Sequence, residues 1–265
     1  MNTEKLYLAW QDSQNRNWWP VGMLTHTQNN SYRFFYTKGA ERLKEMGAFE
    51  TFGSMKDLNA VYESEHLFPI FKNRMTSTSR PEYKRYLEWL GSTVNDLDPL
   101  SILAMTEGIR GTDNLEVFSC PKESEKGVFE IVFFSHGLRY LTQSAIDRIG
   151  TLQKGDQLYL MFDMQNMYDE KALAIRTSDP VEIVGYCPRY LSRDFLELLT
   201  KTGNDKVKVA VERVNHEAPL HLKLVCKIIT SWPDDFLPCS DEKYQPVVEN
   251  LDSEIQKASK APAIP

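Results

Sequence analysis

Residues 134–189 constrain this chain more than any other stretch. Gly155-Asp156 is turn chemistry, and it launches residues 157–162, where apolar side chains alternate as a half-buried strand requires. A loop rich in amides, acids and aromatics follows (Gln165, Asn166, Tyr168, Asp169), ahead of a second apolar run over 172–176. Ile183-Val184-Gly185-Tyr186 reads as a third short strand. Pro188 closes it and opens a helix over 190–199, with Leu191, Phe195, Leu198 and Leu199 on one face. Upstream, 128–134 is continuously apolar and aromatic, and 142–149 is a helical turn. Downstream, 207–214 and 220–229 alternate cleanly. Six short strands and two short helices at this spacing predict a small SH3-like or OB-like barrel.

Within that stretch four pieces recur in a set order. They are Gly137-Leu138-Arg139-Tyr140, then Gly155-Asp156-Gln157-Leu158-Tyr159-Leu160, then Gln165-Asn166-Met167-Tyr168-Asp169-Glu170-Lys171-Ala172-Leu173, then Val184-Gly185-Tyr186-Cys187-Pro188. Together they resemble the HIRAN domain, a barrel module of DNA-repair ATPases and of bacterial proteins, over about residues 127–238. The family pattern is G-x-x-Y/F, G-D-x-V-x-L, N-P-Y-D-x-x-A-I and I-G-Y-I/L-P. Met167 stands where the family has proline, but Asn166, Tyr168 and Asp169 keep their places.

The resemblance implies a pocket for the 3′-terminal nucleotide of single-stranded DNA. In it Tyr140 and Tyr168 stack on bases, and Arg139 pairs with a backbone phosphate. Asp169 accepts a hydrogen bond from the 3′ hydroxyl, and Asn166 holds a base edge or phosphate. Lys171 and Arg189 flank the same face as further phosphate contacts. A carboxylate facing DNA suits only a free hydroxyl, because a terminal phosphate there meets like charge. Read from the residues alone, the same loop has a plainer account. Asn and Asp bond their own backbone in turns, tyrosines serve cores, and Lys171 and Arg189 are solvated bases. Gly137, Gly155 and Gly185 read as backbone requirements of turns or close strand approaches.

The first half is less pointed. Residues 5–10, 18–24 and 31–36 read as strands, with Trp18 and Trp19 in a core or domain interface. The order of strand, turn, V-G-x-L, polar turn and Y-x-F-x-Y is similar to the N-terminal subdomain of HipA-type toxin kinases, within residues 1–110. The kinase part of that family has no counterpart in the chain: no Gly-rich phosphate loop, H-R-D-like or D-F-G-like segment is present. Residues 81–90 form an amphipathic helix with Tyr83, Tyr86, Leu87 and Leu90 on one face, and 98–105 form a second helix. The loop 106–113 offers Glu107, Arg110 and Asp113, either as a polar site or as a capped, solvated connection.

The expected class is therefore α+β, mainly β with helices. A HipA-N-like α+β domain occupies 1–120, a linker 121–127, the barrel 128–238 and an extended tail 239–265. Residues 250–265 have little to bury and are expected to fray.

Charge and composition narrow the function. Lys and Arg number 31 against 37 Asp and Glu, a net charge of −6. Non-specific nucleic-acid affinity comes largely from bases neutralising phosphates, so this balance opposes a broad electrostatic binder and leaves room for a focused site. No apolar run approaches the roughly 20 residues of a membrane helix, and the first residues lack a secretory pattern. The four cysteines are scattered without a C-x-x-C, which predicts a reducing cytoplasm. The five histidines lack metal-ligand spacing, so neither metal nor cofactor is expected. The resulting expectation is a non-catalytic protein that binds single-stranded DNA, at 3′-hydroxyl ends, in bacterial DNA repair, restriction or phage defence. The alternative is an antitoxin-like interaction module that docks a HipA-like kinase or another protein through its first domain. The low density of bases favours the second reading, and the Arg139, Tyr140, Tyr168 and Asp169 set favours the first.

Overall fold

The computed structural model describes residues 5–13, 16–27, 29–92, 98–124 and 127–248. They fall into two compact units. The first draws on 5–83, 98–120 and 239–248, and the second on 84–92 and 121–238.

The first unit opens with β1 (Lys5–Gln11), β2 (Trp18–His26) and β3 (Tyr32–Tyr36), then α1 (Lys38–Glu45), β4 (Tyr62–Ser64) and α2 (Pro69–Lys72). The next element, α3 (Tyr83–Leu90), belongs almost entirely to the second unit. The first unit resumes with α4 (Pro99–Thr106) and β5 (Leu115–Phe118). Its sheet is antiparallel in the order β4-β3-β2-β1-β5. The β1–β2 register slips between Leu8 and Ala9, opposite Pro20 and Gly22. Proline cannot donate to a ladder, and a bulge is where a strand tolerates one. Leu6, Leu8, Val21, Leu24, Phe34 and Tyr36 point into a core closed by Leu43, Phe71 and Leu103. The Tyr36 hydroxyl donates to the Met55 carbonyl at 2.7 Å and accepts the Phe52 N–H at 2.8 Å. Burial pushes its pKa up to about 12. Helix α4 starts where the sequence places it. Asp98 accepts from the N–H groups of Leu100 and Ser101, and Pro99 occupies the first turn.

The loop after α4 is solvated over residues 109–112, but its two ends are anchored, so Glu107, Arg110 and Asp113 do not gather into an open polar site. The buried Arg74 guanidinium donates to Asp113 Oδ2 at 2.6 Å and to the carbonyls of Gly108 and Leu115 at 2.8 and 3.1 Å. Glu107 is buried in the left-handed conformation that ends the helix.

Two features depart from the expected layout. Residues 239–248, expected as part of an extended tail, are built into the first unit. Lys38 N–H donates to Gln245 O at 2.8 Å, Val247 N–H donates to Tyr36 O at 3.0 Å, and Tyr244 meets the Tyr7 ring edge-on at 5.3 Å. The apolar Tyr244, Val247 and Val248 supply the reason, since all three are buried. The expected fraying of 250–265 concerns residues outside those described. The second departure is α3, expected in the first domain. The carbonyl of Trp89 lies in its last turn and has no partner within the helix. Arg213 Nη2 and Asn215 Nδ2 donate to it at 2.6 and 2.9 Å, and Arg85 pairs with Glu217. All three partners belong to the second unit.

The second unit continues with β6 (Val128–Phe134), α5 (Gln143–Thr151), β7 (Gln157–Phe162), β8 (Leu173–Arg176), β9 (Ile183–Tyr186), α6 (Ser192–Thr202), β10 (Lys208–Val214) and β11 (Leu224–Ser231). All six expected strands and both helices are present. The expected strand start at 220–222 is instead a 3-10 turn, because Pro219 fixes the backbone ahead of it. Residues 125 and 126 of the expected linker lie outside the described residues. The sheet is antiparallel in the order β6-β11-β10-β7-β8-β9. It curls until its edges meet. His136, just past β6, exchanges two backbone hydrogen bonds with Tyr186 at the end of β9, at 2.9 and 3.0 Å. The architecture is mainly β with helices, as the sequence predicts.

Among the described residues no helix is long and apolar enough to cross a membrane. All four cysteines are free, and burial raises the thiol pKa of Cys187 and Cys226 well above the ordinary value. The thiolate is the reactive form. Iodoacetamide at pH 8 is therefore expected to modify native protein at the half-buried Cys120, and to reach Cys187 and Cys226 only after denaturation. Peptide mass spectrometry checks this, and rapid native labelling of Cys226 would contradict it.

Candidate nucleic-acid interface

The closure of the barrel builds the candidate site. Beyond His136 the chain turns through Gly137, at φ 76°, into a 3-10 turn over Leu138–Tyr140. Leu138 faces inward and is buried, which forces Arg139 and Tyr140 outward. Tyr140 is 69% exposed. The Arg139 guanidinium lies 4.6 Å from the Tyr140 ring centroid and donates to its hydroxyl at 2.5 Å. The pair holds a flat ring and a cation together at the surface, an arrangement worth about 0.5–1 kcal/mol when exposed.

The loop between β7 and β8 is the second half. Asp163 accepts the N–H of Gln165 at 3.2 Å, and Asn166 Oδ1 accepts the N–H groups of Tyr168 and Asp169, both at 3.0 Å. Asn166 Nδ2 donates to Asp163 at 3.2 Å. Asp169 Oδ1 accepts the N–H of Lys171 at 3.0 Å, and its Oδ2 lies 3.4 Å from Arg189 Nε. Asn166 and Asp169 therefore shape the loop, as their turn propensity predicts. They also leave Tyr168 59% exposed, beside a Lys171 that is exposed as well. Asp169 and Arg189, read as separate contacts, form one half-buried ion pair.

Tyr186 joins the two halves, and the sequence reading gave it no role. Its ring sits under Gly137, where an added Cβ would approach within 3.2 Å. Its hydroxyl donates to Asp163 Oδ2 at 3.1 Å. Burial, then the Asp163 carboxylate, raises its pKa, so it stays a neutral donor. One side chain thus fixes the Arg139–Tyr140 turn and the Asn166–Asp169 loop relative to each other. The signal was its place after Gly185 in a strand-final position. Asp163 carried no signal, since one acid at a strand end is common.

The family model of the HIRAN domain matches residues 128–233. This region is a HIRAN domain. The HIRAN domain is known as a DNA-binding module, which supports a DNA-binding role here. Among solved structures the chain is similar to a protein from Lactobacillus plantarum, with 20% identity and a TM-score of 0.29, covering 39% of this chain and 99% of that one. It is also similar to the HIRAN domain of human HLTF, with 13% identity and a TM-score of 0.30, covering 53% of this chain and 100% of that one. No curated protein matches. The HipA-like reading of residues 1–110 gains no support from these comparisons.

Proposed function

We propose that the HIRAN domain of this chain binds single-stranded DNA at its 3′ end and catalyses nothing itself. The observation that carries this reading is the exposed Tyr140 ring held by the Arg139 guanidinium, linked through Tyr186 to the exposed Tyr168. Two aromatic rings offer stacking surfaces that tolerate any base. Arg139, Lys171 and Arg189 supply charge for phosphates, which suits a focused site on an acidic protein. Asp169 keeps lone pairs beyond those used by Lys171 and Arg189, and these accept the terminal 3′ hydroxyl. Asn166 acts by holding the loop open toward the base edge. The protein serves DNA repair, restriction or phage defence in the cytoplasm, with catalysis left to a partner.

The test is fluorescence anisotropy at low salt with single strands ending in 3′ hydroxyl or 3′ phosphate, and a blunt duplex as control. The hydroxyl end is expected to bind best. Tyr140→Ala should weaken it roughly tenfold, from a stacking contribution of about 1–3 kcal/mol per base. Asp169→Asn keeps an acceptor for the loop but removes the charge, so discrimination against the phosphate end should shrink. Absence of binding to every probe at low salt would sink the reading.

A further inference from the structure

The outer face of β7 carries a row of side chains that the end pocket leaves unused. Side chains alternate along a strand, so Tyr159, Met161 and Asp163 leave β7 on the same side. The hydrogen bond from Tyr186 to Asp163 identifies that side as the one bearing the candidate pocket. The register continues the row across the sheet. Met161 lies opposite Ala174, Ala174 opposite Tyr186, and Tyr159 opposite Arg176. On the other flank β10 pairs with β7 at Val209↔Leu158 and Ala210↔Gln157, so Lys208, which precedes Val209, and Tyr159, which follows Leu158, both come at the end of that ladder.

The chemistry of this row is specific. Tyr159 is 41% exposed on the outside of a barrel whose interior is filled by Leu158, Leu173 and Ile175. The Arg176 guanidinium stands 5.0 Å from the Tyr159 ring centroid and is anchored by donating to the Thr177 carbonyl at 2.9 Å. Lys208 is exposed on the opposite flank. An open ring between two basic side chains repeats the chemistry of Arg139 and Tyr140, and Tyr186 lies on the path between them.

We propose that this row extends the DNA track. The strand whose 3′ end sits at Tyr140 runs past Tyr186 and stacks an upstream base on Tyr159, with Arg176 and Lys208 holding the adjoining phosphates. The occupant is single-stranded, since stacking on a side chain needs a base face free of its neighbour. The extension rests on the end-binding reading above.

Two 3′-hydroxyl oligonucleotides, of about four and about twelve nucleotides, separate the two ideas, because single-stranded sites span that range. The full chain is expected to bind the longer one roughly tenfold more tightly, the worth of one stacked base. Tyr159→Ala, or Arg176→Gln with Lys208→Gln, should abolish that gain and leave the short probe unaffected. Tyr159→Phe, which keeps the ring, should preserve the gain. Equal binding of both lengths would overturn the extension. So would a gain that survives Tyr159→Ala, or a Tyr159→Ala loss equal on both probes. In each of those cases a loss on Tyr140→Ala still upholds end binding. Binding of neither length overturns both.

Discussion

Replacing Gly185 with alanine is expected to unfold the HIRAN domain or cost it about 3 kcal/mol or more, well beyond an ordinary surface change. Two independent faults combine. The backbone there has φ 132°, a conformation that side-chain-bearing residues rarely adopt. An added Cβ would also lie 1.9 Å from Ser135 Oγ and 2.8 Å from the His136 carbonyl. Those atoms belong to the seam. Ser135 donates to Val184 O at 3.0 Å, and His136 makes the paired bonds to Tyr186 that close the barrel. The methyl cannot be accommodated by rotating a side chain, because one obstacle is backbone. Gly150→Ala is the matched control. It sits in α5 with open space around its Cβ position, and alanine is the better helix former by about 1 kcal/mol. Urea titration followed by tryptophan fluorescence reads both. A Gly185→Ala midpoint equal to that of the parent protein would refute the seam as described.

Asp113→Ala is the second large effect, expected to cost about 3 kcal/mol of the first unit's stability. Arg74 has 1% side-chain exposure, and Asp113 is its only anionic partner among the described residues. Removing one member of a buried pair leaves the other charged group without compensation, a change that typically costs about 3–5 kcal/mol. The partial exposure of Asp113 and the two carbonyl contacts of Arg74 place the expectation at the low end. Arg74→Met should cost less, since it removes the charge and fills much of the same volume. It still orphans the carbonyls of Gly108 and Leu115. Thermal melts of the three proteins decide the order. Asp113→Ala melting with the parent protein would show the pair to be dispensable.

The two halves of the chain were legible to different degrees. In the HIRAN domain β7, β10 and β11 alternate over six to eight residues, β6 is one continuous apolar run, and the four-residue β8 and β9 lie inside recognisable motif pieces, so all six were located. The strands β4 and β5 have three and four residues, too short to display a period, and unlike β8 and β9 they lie in no motif that marks them, so both were missed. Helix α3 was legible as a helix, but its allegiance was not. That depends on Arg213 and Asn215, more than a hundred residues away, meeting one carbonyl. At the site, the motif residues named the loop and the turn. It could not name Tyr186 as their common support, because that role follows from barrel closure. Asn166 and Asp169 could be read either as ligands or as turn residues. The structure shows the turn contacts plainly and leaves Tyr168 exposed beside them, while Tyr140 is turned outward separately by the 3-10 turn after Gly137.

The chain enters the first unit, leaves it for α3, returns, leaves again for the HIRAN domain, and comes back at residue 239. This path sets an order of events during synthesis. The partners of Trp89 emerge from the ribosome only after the whole barrel sequence up to Asn215, and the strap of Tyr244 and Val247 emerges later still. Domains generally fold as units in the order they are made, but neither unit here is a contiguous stretch. A nascent chain halted at residue 120 carries an unsealed sheet and an unclaimed helix. The HIRAN domain can finish first, so it is the second unit in sequence that becomes the earlier one in time.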